Sequence, residues 1–234
     1  MFARNVGVRL TSDGRINGAR LLKVAATLVA LSAALFAAYE WRAHRYPLHD
    51  VNGDGRIVVL CFGDSITAGT SIGTYPGVLR VLLGPPIEVV NGGKFGETTD
   101  EGKQRLPGVL ATVRPDYVVV LEGINDNCHQ PPQTAFNLLQ MAGMIRHAGA
   151  VPLIGTIYPP TKGEPDIRSC YDGLNQAIRR MIQRNGDAFL VDFAAATEGK
   201  LDHLLADGVH INGAGARVLA DAAHAALLTA GKHW

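Results

Sequence analysis

The stretch Ile57-Val58-Val59-Leu60-Cys61-Phe62-Gly63-Asp64-Ser65-Ile66 decides how this chain is read. Six consecutive apolar residues without polar interruption fit a strand buried on both faces, and the glycine that follows lets the backbone turn sharply. Ser65 is then presented at the carboxyl end of a strand, the edge at which open α/β sheets bind their ligands.

The same alternation continues downstream. Strands are expected over 87–90, 117–121, 151–157 and 189–193, and helices over 75–83, 98–113, 132–147, 170–184 and 213–230. Pro76 suits the first turn of its helix, whereas Pro107 disturbs the one over 98–113. Phe136, Leu139 and Met144, with the alanines near them, read as the core face of the helix over 132–147. Strands alternating with helices imply a parallel sheet covered on both faces. Right-handed crossovers then restrict the topology to a flavodoxin-like, five-stranded three-layer α/β/α sandwich.

A serine hydroxyl is a poor nucleophile at neutral pH, so Ser65 needs a base, a group that orients the base, and donors for an oxyanion. Asp207-Gly208-Val209-His210 offers the first two, because two intervening residues on a turn let the carboxylate fix the imidazole tautomer. His203, beside Asp202, is the competing base and ranks below His210. For the donors, Asn91-Gly92-Gly93-Lys94-Phe95-Gly96-Glu97-Thr98-Thr99 follows the apolar run 87–90, and Gly123-Ile124-Asn125-Asp126 follows the run 117–121. Both lie at the same sheet edge as Ser65. A glycine there brings its N–H to a substrate with no side chain in the way, and an asparagine amide donates at any pH.

With these four blocks in this order the chain resembles the SGNH, or GDSL-type, esterases and lipases. The matching blocks are Gly63-Asp64-Ser65-Ile66, the glycine of Phe95-Gly96-Glu97-Thr98, Gly123-Ile124-Asn125-Asp126, and Asp207-Gly208-Val209-His210, and the likeness covers residues 57–230. It implies the SGNH hydrolase fold, with Ser65 as nucleophile and also an oxyanion-hole donor through its backbone N–H. Gly96 and Asn125 would complete the hole, and Asp207 with His210 the triad. Gly93 is the alternative to Gly96, and Glu97 stands where many relatives carry aspartate. The resemblance further implies hydrolysis of carboxylic esters or thioesters through an acyl-enzyme, with no cofactor and no metal, on small-molecule or lipid substrates, as in the lysophospholipase and thioesterase branch. An O-acetylesterase acting on envelope or extracellular glycans is a second reading, and a membrane-tethered binding module without turnover is a third. The strict nucleophile elbow of ordinary α/β-hydrolases is not matched, because Thr67 occupies its second glycine position.

The chain has 234 residues, 47% of them apolar, enough for one sizeable core plus an N-terminal extension. Its formal charge of +1 is uneven: residues 1–45 hold seven Lys/Arg against Asp13 and Glu40, whereas 46–234 hold fifteen against nineteen acidic residues. A mildly acidic domain has no footprint for nucleic acid. The basic surplus flanks an apolar stretch, 21–39, long enough as a helix to span about 28 Å, close to the ~30 Å of a bilayer core. Arg4, Arg9, Arg15, Arg20 and Lys23 precede it, so the positive-inside rule puts the N-terminus in the cytoplasm and the domain from 57 to 234 outside. An uncleaved membrane signal anchor is expected, with 46–56 as a tether; a cleaved signal peptide and secretion is the alternative.

Asp50-Val51-Asn52-Gly53-Asp54-Gly55 mimics the first half of an EF-hand loop, yet Cys61 stands where the bidentate glutamate belongs, so it reads as a polar turn. Cys61 is an apolar filler of its strand. Cys128 and Cys170 follow neighbouring strands, and a disulfide between them is expected in an exported domain. His129 beside Cys128 does not complete a zinc ligand set. Oligomeric state is not encoded in any of these patterns.

Overall fold

A computed structural model describes residues 18–45, 47–69, 73–126, 128–161, 166–198, 203–205 and 207–234, with side chains of the first segment described over 22–36. The chain divides into two units, Met1–Tyr46 and Pro47–Trp234. The first contains helix α1 (Gly18–Arg45), whose described side chains are all exposed. Among the described residues no helix is long and apolar enough to cross a membrane. The membrane anchor expected over 21–39 is therefore not supported. Arg4, Arg9 and Arg15 lie outside the described residues.

The second unit carries β1 (Val58–Gly63), α2 (Ser65–Ala68), α3 (Tyr75–Leu83), β2 (Glu88–Gly93), α4 (Thr99–Val113) and β3 (Tyr117–Leu121). It continues with α5 (Pro131–His147), β4 (Val151–Gly155), α6 (Ile167–Asn185), β5 (Phe189–Val191), α7 (Phe193–Thr197) and α8 (Gly213–His233). The strands form one parallel sheet in the order β2-β1-β3-β4-β5, the flavodoxin-like order expected from the alternation.

Side chains alternate across the strands, so each face has its own core. Leu60, Phe62, Val118, Val120 and Ile154 pack with Leu106, Leu138, Met141 and Leu174 under α4, α5 and α6. On the other face α3 packs against α8, and Tyr75 meets Phe193 with ring centroids 5.8 Å apart. Burial pushes the Cys61 thiol up to about 12, which suits an inert filler.

Three local readings are corrected. β2 continues through Asn91, Gly92 and Gly93, past the end expected at 90, because Gly93 pairs with Gly63 of β1. α4 runs unbroken through Pro107. The buried face of α5 is Ala135, Leu138, Met141, Ala142 and Ile145, whereas Phe136 is 53% exposed. Two apolar stripes at helical spacing compete in that segment, and only tertiary packing chooses between them. Helices α2 and α7 are too short for periodicity to reveal.

Residues 47–56 are fastened to the second unit. The Asp116 carboxylate, fully buried, accepts from the backbone N–H of Val51 at 2.7 Å, Asn52 at 3.1 Å and Val58 at 2.7 Å. The EF-hand mimic closes on itself, with Asp50 accepting from Gly53, Asp54 and Gly55. Asp116→Ala leaves three backbone donors without their acceptor, and a loss of about 3 kcal/mol in the unfolding free energy is expected from urea titration. A change within experimental scatter would show that water replaces the carboxylate.

Candidate active site

The register sets the site. Gly63 at the end of β1 pairs with Gly93 of β2 and Leu121 of β3, so the three following segments leave one edge of the sheet together. Gly63 is obligatory there, because a Cβ would collide with the carbonyl oxygen of Leu121. Asp64 then caps α2 by accepting from Ile66 N–H at 2.9 Å, and Ser65 becomes the first helical residue. The N–H of a first helical residue has no partner inside its own helix, and none accepts from Ser65 among the described residues.

Asp207 and His210 arrive on the turn before α8. Asp207 Oδ1 accepts from the N–H groups of Val209 and His210, both at 2.9 Å, and Oδ2 lies 2.8 Å from His210 Nδ1. Those contacts, the Val209 N–H foremost, hold the Asp207 carboxyl down to about 2. With Nδ1–H directed at the carboxylate, Nε2 is left to accept, and it lies 3.0 Å from Ser65 Oγ. The hydroxyl's partner is thus His210. The rival His203 lines a separate pocket with Tyr158 and Arg179, and its neighbour Asp202 lies outside the described residues.

The two donor segments are tied to Ser65 and to each other. Lys94 N–H donates to Gly63 O at 2.8 Å, and the Asn125 amide donates to Glu97 O at 2.9 Å. Burial dominates at Asp64 and pushes its carboxyl up to about 7, although the backbone N–H groups of Ile124 and Gly123 lie near enough to pull it down. Between the alternatives, Gly93 N–H is already directed at Asn91 Oδ1, 3.0 Å away. Gly96 sits at φ +70°, a left-handed conformation that favours glycine, and no acceptor takes its N–H among the described residues. Ser65 N–H, Gly96 N–H and the second amide hydrogen of Asn125 thus have no acceptor among the described residues.

Several supporting groups were not assigned from sequence. Glu97, fully buried, receives Arg105 in a forked contact, with Nε 2.7 Å from Oε1 and Nη2 on Oε2. Arg105 also reaches Gly92 O at 3.0 Å and stacks 4.1 Å from the Phe62 ring centroid. Asp126 takes the Thr99 N–H at 2.8 Å and both the Thr99 and Thr134 hydroxyls. A buried acid demands a partner, so Arg105 on the following helix was the available signal for Glu97. Cys128 and Cys170 are bonded, with Cα atoms 5.5 Å apart, and tie the segment after Asn125 to α6. The only metal-compatible cluster among the described residues is Cys128, His129 and Cys170, whose thiols that bond occupies.

A hydroxyl, an imidazole and a carboxylate in hydrogen-bonded series, beside open N–H donors at the edge of a parallel sheet, define the serine-hydrolase class. The chain belongs to the GDSL-like lipase/acylhydrolase family, whose model matches residues 61–218, and it is a carboxylic ester hydrolase. It is similar to esterase TesA of Pseudomonas aeruginosa, with 31% identity over 161 residues, 65% of this chain and 78% of that one. It is also similar to thioesterase 1/protease 1/lysophospholipase L1 of Escherichia coli K12, with 34% identity over 107 residues, 44% of this chain and about half, 51%, of that relative. A crystal structure of TesA superposes with a TM-score of 0.61 at 28% identity, covering 73% of this chain and 97% of that one.

Glu122, the residue before Gly123, is fully buried, and neither carboxyl oxygen has a hydrogen-bond partner among the described residues. Burial, reinforced by nearby Asp64 and Glu97, pushes its carboxyl up to about 10. The folded chain therefore holds a proton that the unfolded chain releases near pH 4.3. Stability from this group is fully present below about 4.3 and is lost as pH rises toward 10. The neutral isostere Glu122→Gln is expected to gain stability over the parent progressively between about pH 5 and pH 9, read from urea midpoints. A pH-independent difference would mean that Glu122 is not protonated in the fold.

Proposed function

We propose that the chain hydrolyses carboxylic esters and thioesters by double displacement at Ser65. His210 Nε2 takes the hydroxyl proton as Oγ attacks the carbonyl, while Asp207 orients the imidazole and stabilises its charged form. Negative charge developing on the carbonyl oxygen is met by the N–H groups of Ser65 and Gly96 and by the Asn125 amide. His210 then protonates the departing alcohol or thiol, and water repeats the sequence on the acyl-enzyme.

The observation that carries this reading is the unbroken series from Asp207 Oδ2 through His210 to Ser65 Oγ, at 2.8 and 3.0 Å. The names of the relatives, an esterase and a thioesterase/lysophospholipase, support acyl ester and thioester substrates. Phe95, exposed beside Gly96, offers apolar surface for an acyl chain. On p-nitrophenyl butyrate, Ser65→Ala is expected to lower kcat by about 10⁴-fold or more, and Asn125→Ala by about 100- to 1000-fold with KM little changed. Equal rates for the parent and Ser65→Ala would remove this mechanism.

We further propose that the catalytic unit works outside the cytoplasm as a secreted protein. The basic-flanked apolar segment over 21–39 supports export, and so does the Cys128–Cys170 disulfide, since such bonds persist in oxidising compartments. Mass spectrometry of the mature protein should find it in the exported fraction without the N-terminal apolar segment. Full-length protein held in the membrane fraction would replace secretion with anchoring, and full-length protein in the cytosol would exclude export.

A further inference from the structure

We propose that a polar pocket beside Asn125 holds an uncharged hydroxylated part of the ester, a glycerol or sugar unit bearing the reacting acyl group. This rests on the esterase reading above and names the substrate class that the reading leaves open. The pocket has a volume of about 210 Å³ and lies where the first turns of α4 and α5 face the segment after β3. That is smaller than the ~300 to 1,000 Å³ typical of pockets for drug-sized ligands, and it suits one compact group.

The chemistry of the wall excludes the obvious competitors. Every residue lining it is polar, Thr98, Asp100, Asn125, Gln130, Gln133 and Asn137 among them, and no aliphatic or aromatic side chain is there to receive an acyl chain. A phosphate would meet the carboxylates of Asp100 and Asp126, and no cation lines the pocket among the described residues. Lys103 nearby is engaged by Asp100 Oδ1 at 3.0 Å and Asn137 Oδ1 at 2.8 Å.

What remains open matches hydroxyl groups, which both donate and accept. Gln133 Nε2 donates to Asn137 Oδ1 at 3.2 Å, which leaves its second amide hydrogen and its carbonyl oxygen. The Gln130 side chain is exposed and makes no hydrogen bond within the chain among the described residues. Asn125 forms part of the wall and is also the proposed oxyanion donor, so a group seated here lies next to the reacting carbonyl.

The test compares mono-O-acetylated methyl glucoside and 1-monoacetylglycerol with p-nitrophenyl acetate, using the full chain and the Gln133→Leu and Gln130→Leu variants. Each exposed substitution is expected to lower the kcat/KM ratio of the polyol ester to p-nitrophenyl acetate by about fivefold, mainly through KM. Loss confined to the glucoside arm identifies a sugar ligand, and loss confined to the glycerol arm identifies a glyceride. Ratios that do not move overturn the proposal, as does preference for a short-chain lysophosphatidylcholine over both polyol esters. Saturation-transfer NMR with methyl glucoside and with glycerol reads the pocket without turnover, and its signal should weaken in both variants. If the parent fails to hydrolyse p-nitrophenyl acetate, the mechanism at Ser65 fails, while the NMR result still decides the pocket: absence of signal from both probes overturns it.

Discussion

A parallel sheet with β1 between β2 and β3 forces three segments to leave one edge at the same height, and the site depends on that constraint. Gly63, Gly93 and Leu121 are in register there, and the absence of a side chain at Gly63 lets β1 turn against the Leu121 carbonyl. Only after that close approach can Ser65 begin a helix at the height of the Gly96 and Asn125 segments. Register thus does for the nucleophile what a dedicated scaffold loop would otherwise have to do, because a one-residue slip would exchange every inward and outward side chain.

Polar ties, rather than apolar packing, hold those segments to one another. The Asn125 amide joins its segment to Glu97 O, Asp126 joins the same segment to α4 and α5, and Glu97 with Arg105 fixes the turn after Gly96. Directional bonds suit donors that must keep their orientation, whereas packing alone permits rotation. Beyond its burial, the Glu122 carboxyl is pushed up by Asp64, Glu97 and Asp126 against the pull of Arg105, and burial pushes the Asp64 carboxyl up to about 7. Glu122 meets that crowding by holding a proton, so positioning here is set against stability at alkaline pH.

The five strands and the longer helices were legible because uninterrupted apolar runs and helical spacing are local signals. The spacing of Asp207 and His210 was legible for the same reason. The continuation of β2 through Asn91, Gly92 and Gly93 was not, since two glycines have no strand preference and only pairing with β1 extends the strand. Nor was the buried face of α5, where Phe136 on one apolar stripe lost to Leu138 and Met141 on the other. Arg105 and Asp126 stood in plain view within or near the matching blocks, but their contacts join different strand ends. Such contacts exist only once the sheet has formed.

The Asp207-to-His210 turn has no sheet register to position it, yet His210 meets Ser65 across 145 residues of chain. Its geometry comes from backbone bonds on both sides: Leu205 N–H to His210 O at 2.7 Å, Asn212 N–H to His203 O at 2.9 Å, and a bridge between Leu204 and Ile211. From the sheet, the Tyr158 hydroxyl donates to Val209 O at 2.7 Å, and Thr161 N–H donates to Gly208 O at 2.8 Å. Tyr158 lies three residues beyond the end of β4, so the imidazole is aligned with Ser65 through the strand two places away in the same sheet. The triad therefore inherits its alignment from the sheet at both ends, through pairing at Ser65 and through Tyr158 at His210. That common reference allows a half-exposed carboxylate to orient a base for a buried hydroxyl.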